Sequence, residues 1–479
     1  MTHRWLAVAT ALTIVVSPVL MTAADPADPG ITLIGVGNVP GSTLDKSGLH
    51  GSQICALDID QNPTTNCINA ALLGGFGSAF TYTGRDNVFL GVPDRGPFDG
   101  RTDVPFPDRF HFFHLKLDPK APFPNITTTL LDTRFLERSP HKSFVGDAYA
   151  FAPDDRASAR FDPEGVRVCP LGTFFVSDEY GPYIRVFTRH GHLLGRIKVP
   201  AKFLLDPLIG RRSGDINNPN DAASLELAPV NNTSGRQANR GMEGLAITPD
   251  GRMLVGIMQN ALIQDNGLNP VVDLNTVPGR RGLNNRILTV DLWTGETHEY
   301  VYTMDAINQG RGVNEILAIN NHEFLVLERD NRTQLANPPT VPGLKRLYRI
   351  NLSKNGLADV TDVSDVASLP EKGTELAALG ITPVPKVLFL DLLKDVYKVN
   401  GTQTIKDVIA EKVEGLAWGP DLKDGRHVLY VLTDNDVNPN LATQIYAFAV
   451  NGAQAGVRYV PQRILVPMFP PGQVKKALK

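Results

Sequence analysis

The sequence predicts an all-β protein, a β-propeller of four-stranded antiparallel blades, and three observations predict it. A short phrase recurs, as DPEGVRV at 162–168, MEGLAI at 242–247, NEILAI at 314–319 and VEGLAW at 413–418. Each phrase opens the same series: an apolar run, a turn, a second apolar run, then a polar cluster. The clusters are SDEY from Ser177, MQN from Met258, ERD from Glu328 and TDND from Thr433. Among 479 residues, 43 glycines and 36 prolines punctuate runs that are short, β-branched and aromatic, as a turn-rich sheet protein requires. The phrase returns roughly every 70 to 100 residues, longer than the ~40–50 of short-repeat propellers and suited to blades with long loops.

The elements follow in order. GSAFTYT at 77–83, leading to VPDRG at 92–96, makes a first unit with Ser78 in the place of the glutamate. The second reads GVRV, TFFVSD from Thr173, YIRVFTRHG from Tyr183 and LLGRIKVP from Leu193. In the third, GLAITPDG, RMLVGIMQ, NRILTVDLWTG and THEYVYTMD repeat that order, with PDG and WTG as the hairpin turns. The fourth takes EILAINN, HEFLVLERD, KRLYRINL and 358–363; the fifth takes EGLAWGP, HVLYVLTD, TQIYAFAV and 457–465. Five units are readable, and the N-terminal ITLIGVG strand joined to late C-terminal strands would make a sixth, so six blades are expected. The alternative architecture is a large β-sandwich. Helical periodicity is confined to 388–396.

No linker or charge block divides the chain, so one domain is expected over 31–470. Before it, residues 1–24 read as a signal peptide: a basic start at His3 and Arg4, an apolar run from Trp5 to Leu20, and Thr22-Ala23-Ala24 before a polar stretch. The destination is then extracellular or periplasmic. In an oxidising compartment Cys55 and Cys67 are close enough in sequence to bridge, leaving Cys169 as a buried thiol. A net charge of −3 with scattered Lys and Arg excludes a nucleic-acid surface, and no membrane contact is expected once the signal is removed. The oligomeric state is open. There is no GxSxG elbow, no GxxxxGK[ST] loop, no HExxH and no CxxC, and on a strand the spacing of His111 and His114 sends them to opposite faces.

The repeated carboxylates remain. Residues just before the innermost strand of each blade lie near the central channel, so Glu164, Glu243, Glu315 and Glu414 are expected to converge. Basic residues accompany them, Arg160, Arg240, Arg311 and Lys412, and each glutamate can alternatively serve only to tie its own blade to the next through backbone N–H groups or the neighbouring arginine. A second polar set follows the second strands: Asp94-Arg95, Asp178-Glu179, Glu328-Arg329-Asp330 and Asp434-Asn435-Asp436. Hard oxygen donors of this type suit Ca²⁺. Asp434-x-Asp436-x-Asn438 resembles the start of a calcium loop but has Pro439 where such a loop needs glycine.

The run FDPEGVRVCPLGTFFVSDEYGPYIRVFTRHGHLLGRIKVP, then NRGMEGLAITPDGRML, and later KVLFLDL, KVEGLAWGPD and LYVLTDND resemble the phytase-like, esterase-like domain family of secreted β-propellers, over roughly 35–450. The resemblance implies a propeller related in architecture to calcium-dependent phytases, with phosphoester or ester hydrolase activity on a small substrate. It brings no established catalytic set. On residue chemistry, Glu164, Asp178, Glu179 and Glu243 are the catalytic candidates, and Arg160, Arg240, Arg311 and Lys412 the substrate-binding ones. Asp178, Glu179, Glu315, Glu414, Asp434 and Asp436 are the candidate ligands for Ca²⁺. The alternative is a propeller without chemistry that holds a protein or glycan partner on loops such as 217–240 and 265–281.

Overall fold

The computed structural model describes residues 30–468 except 59, 148–158, 205–233, 238, 267–281, 306–311, 354–355, 365, 367–374 and 467. The signal-peptide reading, Arg311 and most of the two candidate partner loops lie outside the described residues.

The repeat phrases form the inner strands of five antiparallel four-stranded sheets. The first blade runs Ala79–Tyr82, Val88–Val92, Arg109–Leu117 and Ile126–Phe135; the second Pro163–Val168, Thr173–Asp178, Ile184–Thr188 and Leu193–Ile197. The third runs Met242–Ile247, Met253–Met258, Asn284–Asp291 and Thr297–Thr303; the fourth Gly312–Ala318, Glu323–Arg329, Lys345–Asn351 and Lys386–Asp391. The fifth is Val413–Trp418, His427–Thr433 and Thr443–Val450, completed by the N-terminal strand Ile31–Val39. The inner strands touch one another round a closed ring.

The expectation of six blades is corrected to five. The N-terminal strand does close the ring, but as the fourth strand of the fifth blade, with Ile31 opposite Val450 and Val39 opposite Thr443. Among the described residues no sixth four-stranded sheet forms: 457–465 is not a strand, and the strands outside the blades pair only as two-stranded hairpins. The fourth blade likewise draws its outer strand from Lys386–Asp391, where a helix was expected, and not from 358–363. The 358–363 stretch leans on the third blade, Val360 N–H donating to the Glu299 carbonyl at 2.9 Å.

Burial explains the ring. Each blade is apolar on both faces and each face meets the next blade, giving one apolar layer per junction. Phe110, Phe112, Phe174 and Phe187 fill the layer between blades one and two, and Leu245, Leu254, Phe175 and Ile184 the next. Ile287, Ile316 and Val326 fill the third, Leu327, Leu347, Leu416 and Val431 the fourth. Phe80, Phe89, Leu432 and Ile445 close the circle between blades five and one.

Beside the ring, the hairpin Gln53–Leu57 and Pro63–Asn69 carries the Cys55–Cys67 disulfide, whose Cα atoms are 4.0 Å apart. Asn125 is buried, accepting the Val36 N–H at 3.0 Å and donating to the Ile34 carbonyl at 3.0 Å. The C-terminal segment runs across the channel end at which the inner strands finish. Tyr459 stacks on Trp418 with ring centres 4.4 Å apart, Val460 N–H donates to the Ile319 carbonyl at 2.8 Å, and Leu465 N–H to that of Pro170 at 2.8 Å. A cavity of about 200 Å³ lies beneath this strap, walled by Tyr82, Ile247, Trp418 and Tyr459.

Candidate active site at the mouth of the channel

The opposite end of the channel is where the inner strands begin, and a backbone irregularity repeats there. Pairing of first and second strands slips between Pro163 and Val166, Met242 and Gly244, Val313 and Glu315, and Val413 and Gly415. A bulge inserts one unpaired residue and re-aims its side chain. The residues so placed are Glu164, Glu243, Asn314 and Glu414, with Ser78 taking the corresponding place just before the first blade's inner strand.

Side-chain bonds link these positions round the channel. Ser78 Oγ donates to Glu164 Oε2 at 2.8 Å, and Asn314 Nδ2 donates to Glu243 Oε1 at 2.9 Å and to Glu414 Oε1 at 3.5 Å. Gln259 Nε2 also donates to Glu243 Oε1, and the Arg329 guanidinium meets Glu414 Oε1.

Glu315 is therefore not in the ring. It sits one residue along, where the third and fifth blades have Gly244 and Gly415, and a one-residue slip sends a side chain to the other face. Its carboxylate accepts the N–H groups of Leu245 and Ile316 at 3.0 and 2.9 Å and pairs with Arg167 at 2.8 Å. It ties the second, third and fourth blades together. Burial holds its carboxyl up at about 7, against the pull of Arg167 and the two N–H groups.

Above the ring, two groups of carboxylates offer oxygens within 4.8 Å of one another: Asp162, Glu164 and Glu179, and Asp94, Asp434 and Asp436. Asp178, beside Glu179 in sequence, is elsewhere. Its carboxylate is engaged by Arg185 and by the N–H groups of Asp162 and Tyr180. In the first group, Arg95 from the neighbouring blade reaches Asp162 at 3.1 Å and Glu179 at 3.6 Å. Lys412 sits inside the second group, 3.2 Å from Asp94, 3.5 Å from Asp434 and in contact with Asp436. Arg240 bonds Gln259 beside Glu243, and Arg160 lies over the Tyr180 ring at 5.1 Å.

The carboxylates Asp94, Asp162, Glu164, Glu179, Glu243, Glu414, Asp434 and Asp436 outnumber their cations Arg95, Arg240, Arg329 and Lys412. Burial, followed by the charges of neighbouring carboxylates, pushes Glu164 and Glu243 well above the usual carboxylate range. Burial does the same to Asp162 against the opposing pull of Arg95, and to Asp434 with help from Asp94. Burial also pulls the Arg240 guanidinium below its usual value. Glu179 Oε1, Glu243 Oε2 and Glu414 Oε2 are buried with no hydrogen-bond partner. Such oxygens are costly unless a proton or a cation is bound there, and as hard donors they fit an ion such as Ca²⁺.

Of the residues expected from the sequence, the mouth brings together Glu164, Glu179, Glu243, Glu414, Asp434 and Asp436; Asn314, Gln259 and the bridging Arg95 were not expected there. Asn314 had a signal: NEILAI lacks the glycine that follows glutamate in the second, third and fifth repeats.

A family model described as phytase-like, "esterase-like activity of phytase", matches residues 71–437. The chain belongs to the phytase-like family. This phytase-like propeller is 26% identical over 487 aligned residues to an uncharacterized secreted protein of Arthroderma benhamiae, covering 84% of this chain and 86% of that one. Among solved structures it is similar to the Cps50 (Swd1) β-propeller domain of Myceliophteria thermophila, with a TM-score of 0.31 and 10% identity over 79% of this chain and 98% of that one. It is also similar to regucalcin, a calcium-binding protein of Agrobacterium tumefaciens, with a TM-score of 0.30 and 10% identity over 86% and 97%. Likeness at that level carries nothing about chemistry. Among the described residues, no helix is long and apolar enough to cross a membrane.

Proposed function

We propose that this phytase-like propeller is a secreted, metal-assisted hydrolase of phosphoesters or carboxylic esters acting at the carboxylate end of its channel. The observation that carries the reading is the buried Glu179 oxygen without a partner, next to Asp162 and Glu164 and at an inter-blade mouth rich in arginine. Asp162, Glu164 and Glu179 would hold the ion, with Ca²⁺ the first choice for an all-oxygen set. When bound, such an ion offsets charge on a phosphoryl or carbonyl oxygen and makes water a better nucleophile.

The chain's own residues divide the remaining work. Arg95 orients Asp162 and Glu179 across the junction of blades one and two. Gln259 and Asn314 fix Glu243 through one oxygen and leave the other as an acceptor for a proton from water or leaving group. Arg240, held by Gln259, is the guanidinium best placed to donate to non-bridging substrate oxygens. Lys412 does not share that role, because three carboxylates already occupy its ammonium. Secretion is supported by the similar secreted fungal protein, by the signal-like N-terminus and by the Cys55–Cys67 bridge.

The test is hydrolysis of a phosphomonoester, of inositol hexaphosphate and of a short-chain carboxylic ester, each with Ca²⁺ and with chelator. Turnover that chelator removes and Ca²⁺ restores is expected for at least one class. Turnover indifferent to chelator would overturn the metal assignment. Silence on all three would overturn hydrolysis and leave a propeller that binds.

A further inference from the structure

The two acidic groups satisfy the same geometric condition but differ in what occupies them. Around Asp162, Glu164 and Glu179 the neighbouring guanidinium of Arg95 approaches from one side, and Glu179 Oε1 keeps no partner although the side chain is 1% exposed. Around Asp94, Asp434 and Asp436 no such vacancy exists, because one ammonium contacts a carboxylate oxygen of all three residues. A lysine ammonium has three donors and no acceptor, so three carboxylates match its capacity.

We infer that Lys412 is a built-in cation: its ammonium permanently fills the place a divalent ion would take among Asp94, Asp434 and Asp436, so of the two acidic groups among the described residues only the first is an exchangeable metal site. Metal binding at the first group rests on the functional reading above; the occupancy of the second by Lys412 does not.

The backbone fixes this arrangement. Lys412 directly precedes the inner strand Val413–Trp418, and its carbonyl accepts the Asp434 N–H at 2.7 Å, which holds the root of the lysine against the loop carrying Asp434 and Asp436. Asp94 comes from the adjacent first blade, following Val88–Val92. The ammonium thus bridges blades five and one, and blade five is the one completed by the N-terminal strand. A tethered cation keeps that junction neutralised whatever the metal supply, whereas an exchangeable ion there would make ring closure depend on it.

Calorimetric titration with CaCl₂ of the full mature chain tests this. The unaltered protein should bind one equivalent, Lys412→Met two, and Lys412→Met with Asp436→Asn one again, while Lys412→Arg should keep the original stoichiometry. Two equivalents in the unaltered chain, or no gain in a folded Lys412→Met, would overturn the inference. If the unaltered chain binds none and Lys412→Met binds one, the first group's metal assignment falls and the Lys412 inference stands. Circular dichroism reports whether Lys412→Met folds. If it does not, Asp436→Asn alone decides, since it should leave the calcium stoichiometry of the unaltered chain as it was, and a change in that number would overturn the inference.

Discussion

Asp178 and Glu179 are adjacent in the SDEY cluster and part company in space. Asp178 neutralises Arg185, which stacks against Phe144 and Phe161, whereas Glu179 joins the channel mouth. Glu179→Gln should abolish turnover and calcium binding while leaving thermal stability unchanged or higher, since it removes a buried carboxylate with an unpartnered oxygen. Asp178→Asn leaves a buried guanidinium without its anion and should cost about 3 kcal/mol in urea unfolding. Equal stability loss in both would contradict the division. Glu315 supplies a pH dependence. Its folded value of about 7 exceeds the unfolded 4.5, so the native state holds more protons between them and stability falls as pH rises through that window. Urea midpoints with chelator at pH 5 and pH 8 should show the drop, with a smaller slope in Glu315→Gln. The repeat made Glu164, Glu243 and Glu414 legible in the sequence. The glycine missing from NEILAI marks where Asn314 takes the place of Glu315, but the slip itself is set by pairing with the second strand, and nothing in the repeat could bring Arg95 to Asp162, which needs the ring.

At the scale of elements, the glycine following each ring glutamate is a matter of clearance. A Cβ on Gly244 would come within 2.7 Å of the Ile316 nitrogen, and one on Gly165 within 2.7 Å of Ser177 Oγ and 2.8 Å of Leu245 Cβ. Inner strands converge most closely there. Gly244→Ala should therefore destabilise by about 1–3 kcal/mol, measured by urea unfolding, and widen the ring enough to weaken the Asn314 bridge and turnover with it. Inner and second strands were legible because they are buried on both faces and read as apolar runs. Outer strands were not: Lys386–Asp391 is largely exposed over its first half, so its pattern resembled a helix and a plausible rival existed at 358–363.

For the whole molecule, five apolar junctions and one strap hold the ring. Ending the chain after Gly456 removes the strap, and with it Val457 and Met468 from the edges of two junctions, but leaves every blade strand that builds the five. The blades should persist by circular dichroism, while Trp418, now without Tyr459, becomes more accessible to acrylamide quenching. Unaltered quenching would mean that the strap does not cover that end. Deleting 31–39 is the harsher change, since it bares Thr443–Val450 as a sheet edge and should yield aggregation.

The pairing of Ile31 with Val450 also sets a schedule. The strand Ile31–Val39 must wait for Thr443–Val450, so the circle cannot shut before that distant strand has left the ribosome. Such distant partners make folding slow. A ring that stays open until Thr443–Val450 has been made leaves the preceding chain narrow enough, up to that point, to be threaded through a channel that the closed circle would be too wide to pass.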